Sequence, residues 1–163
     1  HLPHRLDAPT SGVVLVALSP SVARFLGEAF REGRVSKTYL AWVAGMPSPP
    51  EGRWNFPLTP PRRGTVAVDP GGKPASTQYR VREARGADTL LELSPRTGRT
   101  HQLRVHCAAA GCPILGDRRY GILRAGVERA LLHAWRIEFP LPGGGIMALE
   151  APPPEDMERG AGE

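Results

Sequence analysis

Short apolar segments rich in Val, Leu and Ile recur along the chain, and turn-forming residues separate them. This pattern predicts β-strands, because β-branched and aromatic side chains pack well on a pleated sheet. Two of the segments are separated only by the turn at residues 85–88, so we expect them to pair antiparallel. The expected strands are residues 13–18, 37–44, 76–83, 89–93, 131–139 and 146–150.

Two stretches with helical periodicity interrupt the strands. Ser19 is a suitable N-cap for a helix whose apolar residues recur at steps of three and four until Gly33. A second helix is expected over residues 101–110, with Thr100 as its N-cap. The helices and strands together predict a mixed α+β domain.

The remaining segments lack a regular pattern. Residues 45–72 are rich in Pro, Gly and Arg, so we expect an irregular connection with a short strand near residues 54–58. We expect the tail that starts at Pro152 to pack poorly beyond its first residues, because it is acidic and rich in Pro. At 163 residues the chain is the size of one domain. We assign residues 1–157 to that domain and residues 158–163 to a flexible tail.

The charge balance favours an anionic partner. Lys and Arg total 21 against 16 Asp and Glu, which gives a formal net charge of +5. The basic residues are mostly Arg and occur in clusters, which is typical of nucleic-acid binding. No apolar run is long enough to cross a membrane. Two nearby cysteines and no signal-peptide pattern favour a reduced, cytoplasmic setting.

The sequence disfavours two other kinds of site, a zinc site and a hydrolase triad. His101, His106, Cys107 and Cys112 are residue types that bind zinc, but their spacing lacks a paired C-x-x-C and places them on different helix faces. We therefore expect no metal site. A hydrolase triad around Ser11 is disfavoured because the chain has no G-x-S-x-G turn.

Asp7, Tyr39 and Arg104 form a more informative set. An Arg beside a half-buried carboxylate favours its charged form and fixes its orientation. Such a carboxylate can act as a nucleophile or base, and a Tyr nearby offers a ring for stacking on a nucleobase. The residues themselves also allow a plainer interpretation, in which Asp7 caps a turn and the pair is an ordinary ion pair beside a core Tyr.

Three ordered stretches resemble successive motifs of the RluA-type RNA pseudouridine synthases. They are HRLDAPTSG followed by VVLVAL, then KTYLAWVAG, then TGRTHQLRVHCAAAGCPILGDRRYG. The later LLHAWRIEFPLP and EAPPPEDM resemble the family's C-terminal pattern. The resemblance therefore extends from His4 to about Met157. It implies the pseudouridine synthase fold, in which helices and loops flank a largely antiparallel sheet.

The resemblance implies that the chain isomerises uridine in ribosomal or transfer RNA to pseudouridine without a cofactor. Asp7 matches the family's catalytic aspartate, Tyr39 the tyrosine that stacks on uracil, and Arg104 the arginine that pairs with the aspartate. Arg5 matches a residue that fills the space left by the extruded nucleotide, in keeping with chemistry on a flipped base. The other residues expected to contact substrate are Thr10, Arg99, His101 and Gln102.

The sequence also departs from the family pattern. Members usually begin the domain with a strand carrying Lys-Pro-x-Gly, and many have an S4 RNA-binding module before it. Neither precedes His4 here, so we expect an N-terminally truncated domain. An alternative function is a catalytically inactive RNA-binding relic of the same fold. We expect the protein to be a monomer.

Overall fold

The computed structural model describes residues 1–158, so the tail expected at residues 158–163 lies outside the described residues except for Glu158. Seven strands and three helices occur in the described part. In chain order they are β1 (Ser11–Gly12), α1 (Pro20–Arg31), β2 (Ser36–Ala44), β3 (Glu51–Trp54), β4 (Thr77–Arg85), β5 (Asp88–Pro95), α2 (Gln102–Ala109), β6 (Leu132–Pro140), β7 (Ile146–Glu150) and α3 (Glu155–Glu158).

The strands form one sheet with the order β1-β6-β2-β5-β4-β3, and β7 also pairs with β6. Only the short β1 runs parallel to its neighbour, and the other pairs are antiparallel. The expected α+β class with a largely antiparallel sheet is therefore confirmed. The β4–β5 hairpin closes through a turn at Gly86 and Ala87, as its sequence predicts.

The expected strand at residues 13–18 is wrong. Val13 N still donates to Ala134 O at 2.9 Å, but beyond it this edge of β6 pairs with β7. The segment is therefore excluded from the ladder, and its backbone bonds to the N-terminal residues instead. The N–H of Ala17 donates to the carbonyl oxygen of His1 at 2.9 Å. Leu15 and Ala17 remain buried, whereas Val14, Val16 and Leu18 are exposed.

The short strand expected near residues 54–58 also lies elsewhere, in β3. Trp54 ends that strand opposite Thr77 of β4. Leu58 makes only isolated bridges, to Val68 and Lys73. The Pro residues at positions 57 and 60 cannot donate to a ladder, which explains why pairing stops there.

One helix begins as expected and the other does not. Ser19 Oγ accepts the Val22 N–H at 3.3 Å and caps α1. In α2 the N-cap is His101, with φ of 55° and no side-chain cap, so the prediction for Thr100 is wrong. Gln102 Oε1 accepts the N–H of Arg99 at 3.1 Å, which holds the loop before the helix but does not cap it. Within residues 1–158, no helix has the length and apolar character needed to cross a membrane.

The two faces of the sheet have different coverings. Alternation along β2 places Lys37, Tyr39 and Ala41 on the face that packs against α1 and α2. Trp42 points to the opposite face, where its Nε1–H donates to Met157 O at 2.8 Å and Met157 is buried. The expectation of a poorly packed tail from Pro152 is therefore wrong as far as Met157. Trp42 supplies an apolar surface and a buried donor for this segment.

Candidate active site

A cleft of about 850 Å³ opens on the sheet face that carries α1 and α2. Its walls come from residues 4–10, the end of α1, the start of β2, and the loop that leads into α2. The volume is within the range of typical ligand sites. All eight residues that the sequence predicted as catalytic or substrate-binding line it: Arg5, Asp7, Thr10, Tyr39, Arg99, His101, Gln102 and Arg104.

Asp7 lies in a turn at one wall of the cleft. The Thr10 N–H donates to the Asp7 carbonyl at 2.9 Å, which closes the turn. The side chain is 20% exposed, and its Oδ2 accepts a hydrogen bond from Arg104 Nη1 at 3.4 Å. Within residues 1–158, Oδ1 of Asp7 has no hydrogen-bond partner. One carboxylate oxygen thus faces the cleft without a protein contact.

Arg104 is held mainly by a different carboxylate, Asp117. Nε and Nη2 of Arg104 donate to the two oxygens of Asp117, both at 2.7 Å. Asp117 is fully buried and also accepts the backbone N–H groups of Arg119 and Tyr120. This bidentate pair fixes the guanidinium plane, so that only Nη1 points toward Asp7.

Burial and pairing act in opposite directions on these two charges. Burial alone would lower the pKa of Arg104, but the hydrogen bonds and charges of Asp117 and Asp7 raise it. Burial alone would raise the pKa of Asp117, but Arg104 and two backbone N–H groups lower it. Both groups therefore remain charged at neutral pH.

Tyr39 projects from β2 into the same cleft. Burial, followed by the negative charge of Asp7, raises the pKa of its hydroxyl to about 12. The side chain is therefore a neutral phenol at physiological pH. Close to this position, Thr38 pairs with Arg136 whereas Tyr39 pairs with Ala134, which leaves an extra residue, Trp135, in β6. Such bulges often re-aim side chains near active sites.

The side chains expected to contact substrate differ in their exposure and in their hydrogen bonds within the protein. Thr10 Oγ1 is enclosed and has no hydrogen-bond partner among the described residues, whereas Arg5 and Arg99 are exposed at the rim. His101 Nδ1 is 2.8 Å from the hydroxyl oxygen of Tyr120, and burial lowers the pKa of the imidazole.

Gln102 is bonded almost entirely within the protein. Its Oε1 accepts from Thr97 Oγ1 and the Arg99 N–H, and its Nε2 donates to Ser76 O and Thr77 Oγ1. Each of these distances is between 2.7 and 3.1 Å. Gln102 therefore fixes the loop that leads into α2, and its amide has little capacity left for a ligand.

Three of the four residues weighed as zinc ligands, His106, Cys107 and Cys112, are buried. Burial raises the pKa of both cysteine thiols. His106 Nε2 contacts the Phe56 carbonyl at 3.0 Å. In the described part of the chain, no three His, Cys, Asp or Glu side chains converge to hold a metal ion.

The sequence and the fold are similar to those of one known family of proteins. Residues 1–109 match the family model described as RNA pseudouridylate synthase. The chain belongs to this family. Two curated relatives from Escherichia coli (strain K12) support the assignment. The dual-specificity RNA pseudouridine synthase RluA is 46% identical over 91% of this chain and 71% of its own length. Ribosomal large subunit pseudouridine synthase C is 41% identical over 97% of this chain and 54% of its own length.

Solved structures show the same family fold. Human RNA pseudouridylate synthase domain containing 4 superposes with a TM-score of 0.83 and 30% identity, covering 97% of this chain and 73% of its own. Human RNA pseudouridylate synthase domain containing 1 superposes with a TM-score of 0.82 and 31% sequence identity. The match covers 93% of this chain and 68% of the human chain. The pseudouridine synthase fold expected from the sequence is confirmed. The chain is an isomerase of the same type as RluA and ribosomal large subunit pseudouridine synthase C.

Asp117 is the main site residue that the sequence reasoning missed. It lies outside every helix and strand predicted from the sequence, and only its position as a lone carboxylate beside Arg118 and Arg119 distinguishes it. Its importance depends on a contact with Arg104, thirteen residues earlier. Spacing along the chain does not reveal such a contact.

Proposed function

We propose that this synthase converts selected uridines of ribosomal or transfer RNA to pseudouridine, with Asp7 as the nucleophile. The N1–C1′ bond breaks, a C5–C1′ bond forms, C5 loses a proton and N1 gains one. Substrate and product are isomers, so atoms and electrons balance. The supporting observation is that Asp7, Tyr39 and Arg104, which are distant in sequence, line one cleft.

Asp7 has the surroundings that a positioned nucleophile needs. Arg104 Nη1 contacts Oδ2 and orients the carboxylate, while Oδ1 has no partner in the described residues. We assign the attack on the ribose to Oδ1. The guanidinium also stabilises the carboxylate that is regenerated when the bond between Asp7 and the sugar is later broken.

Tyr39 is proposed to stack on uracil and then to accept the C5 proton. A neutral phenol suits stacking in the free enzyme, where its pKa is about 12. C5 gives up its proton only after the C5–C1′ bond has formed. Tyr39 accepts that proton as a phenolate, and its own proton passes to N1, the atom that gains one in the reaction.

The remaining cleft residues are proposed to bind the rest of the nucleotide. Thr10 Oγ1 is enclosed and unpartnered, which suits a hydrogen bond to a ribose hydroxyl. Arg99 and His101 are placed to contact the RNA backbone, and Arg5 to occupy the space left by the flipped uridine. Gln102 supports them by holding the loop rather than by touching RNA.

The wider setting is part of the same proposal. One E. coli relative is named a dual-specificity RNA pseudouridine synthase and the other a ribosomal large subunit pseudouridine synthase, which supports ribosomal RNA as a substrate. Transfer RNA is the other substrate that we propose, from the resemblance of the sequence motifs. The net charge of +5 favours binding to RNA. We propose that the protein acts as a monomer in the cytoplasm.

Tritium release from RNA labelled at uridine C5 tests this function. The wild-type protein should release tritium from transcribed ribosomal or transfer RNA, and Asp7→Asn and Asp7→Ala should not. Equal release by wild type and Asp7→Asn contradicts the assignment of Asp7. Binding of these RNAs by the wild type without any release identifies the inactive RNA-binding relic instead.

A further inference from the structure

Lys37 is a cleft residue that none of the assigned catalytic roles uses. It lies on β2 two residues before Tyr39 and on the same face of the sheet. Its Nζ lies 6.0 Å from the centre of the Phe30 ring. On the other side it approaches Gly98, where a Cβ atom would be only 3.7 Å from Nζ. The ammonium is thus half-buried between the end of α1 and the loop before α2.

The charge of Lys37 has no carboxylate partner among residues 1–158. The carboxylates that line the cleft are Asp7 and Glu138. Asp7 contacts Arg104, and Glu138 pairs with Arg136 at 2.7 Å. Burial lowers the pKa of Lys37, which reflects loss of water without a compensating charge. A half-buried cation of this kind is stabilised when an anion arrives from outside.

The surroundings of Lys37 are basic as well. The cations lining the cleft exceed its two carboxylates: they are Arg5, Arg31, Lys37, Arg96, Arg99 and Arg104. Gly98 carries no side chain, and it lies within van der Waals distance of the ammonium, so exposed backbone adjoins the charge. A phosphate group fits this combination of positive charge and open backbone.

We propose that Lys37 Nζ, beside the Gly98 turn, binds a backbone phosphate of the RNA strand next to the uridine held by Tyr39. Same-face residues two apart on a strand are separated by about 6.6 Å. The phosphate of an adjoining nucleotide is within reach over that distance. This inference rests on the proposed function, because Tyr39 marks the position of the uridine.

The two lysines of this chain provide a matched experiment. Lys37 lines the cleft, whereas Lys73 is exposed and outside it. Binding of a fluorescein-labelled single-stranded oligouridylate is measured by anisotropy over a range of salt concentrations. The slope of log K against log salt should become shallower by about 0.7 in Lys37→Ala and Lys37→Gln, which is the value for one lost single-strand phosphate contact. Lys37→Arg should restore it, and Lys73→Ala should retain the wild-type slope.

Several outcomes would overturn the assignment. In Lys37→Ala, a salt-dependence slope equal to that of the wild type would do so, whether or not binding is weaker. The same holds if Lys73→Ala shows an equal change of slope, or if the wild type does not bind oligouridylate. Thermal melting of each variant shows that the fold is retained. Tritium release by the same proteins separates the two proposals: if the wild type binds RNA through Lys37 but releases no tritium, the proposed function fails and the phosphate site stands.

Discussion

Replacing Asp117 with Asn tests whether this residue, more than Asp7, holds Arg104 in place. Asp117 is fully buried and makes two contacts of 2.7 Å to Arg104, which is 7% exposed. Asp7 makes one contact of 3.4 Å and is 20% exposed. Removing one member of a buried ion pair costs about 3–5 kcal/mol, whereas loss of a longer, partly solvated contact costs about 1 kcal/mol. The free energy of unfolding should fall by these amounts in Asp117→Asn and Asp7→Asn respectively.

The effect of Asp117→Asn should depend on pH with a definite sign. The folded pKa of Asp117 is lowered, so its stabilising contribution is complete above the unfolded pKa of about 3.9. This stabilising contribution is lost as the pH falls through the pKa that Asp117 has in the folded protein. Asn does not titrate, so the difference between wild type and Asp117→Asn should narrow below about pH 4.

Urea unfolding followed by tryptophan fluorescence measures both effects. Asp7→Asn is the control, since it removes the other carboxylate from the same guanidinium. Equal costs for the two variants would refute the assignment of Asp117 as the principal support. A difference between wild type and Asp117→Asn that is the same at neutral and acid pH would refute the electrostatic explanation. Tritium release should also fall in Asp117→Asn, because Arg104 is then free to reorient.

Two further predictions concern Tyr39 and Gly12. Tyr39→Phe keeps the ring, so RNA affinity should hold while tritium release falls by about 100-fold or more; unchanged release would exclude the hydroxyl from catalysis. Absorbance titration should show one tyrosine ionising near pH 12, and this signal should be missing in Tyr39→Phe. In Gly12→Ala the new Cβ would lie 2.2 Å from Ala134 O at a φ of 114°, so urea unfolding should show a loss of about 3 kcal/mol or more. Gly143→Ala, with open space around it, should change stability by less than about 0.5 kcal/mol. Equal losses in the two glycine variants would argue against close packing at Gly12.

Elements with strong local signals were predictable from the sequence. The Ser19 cap and the hairpin of β4 and β5 depend on residues that are close together in the chain. Asp7, Tyr39 and Arg104 are indicated both by their side-chain chemistry and by the family resemblance, and the structure places all three in one cleft. Their individual roles remain predictions, since convergence alone does not identify a nucleophile.

Two of the incorrect predictions share one physical cause, which is a contact with a distant segment. Residues 13–18 have the composition of a strand, but β7 occupies the edge of β6 that they would extend along. Met157 lies in a sequence that resembles a loose tail, yet Trp42 anchors it. None of these partners is visible from the local sequence.

The distribution of charge in the cleft supports the proposal that a base, and not a phosphate, approaches Asp7. At the floor, two carboxylates share the guanidinium of Arg104, so the group of three carries a net negative charge. At the rim, the exposed side chains of Arg5, Arg96 and Arg99 are positive. A phosphate is attracted to the rim and repelled from the floor, whereas a neutral uracil meets no such repulsion. The cleft therefore favours a strand bound along its edge with one base turned inward, which is the geometry that chemistry at C1′ and C5 requires.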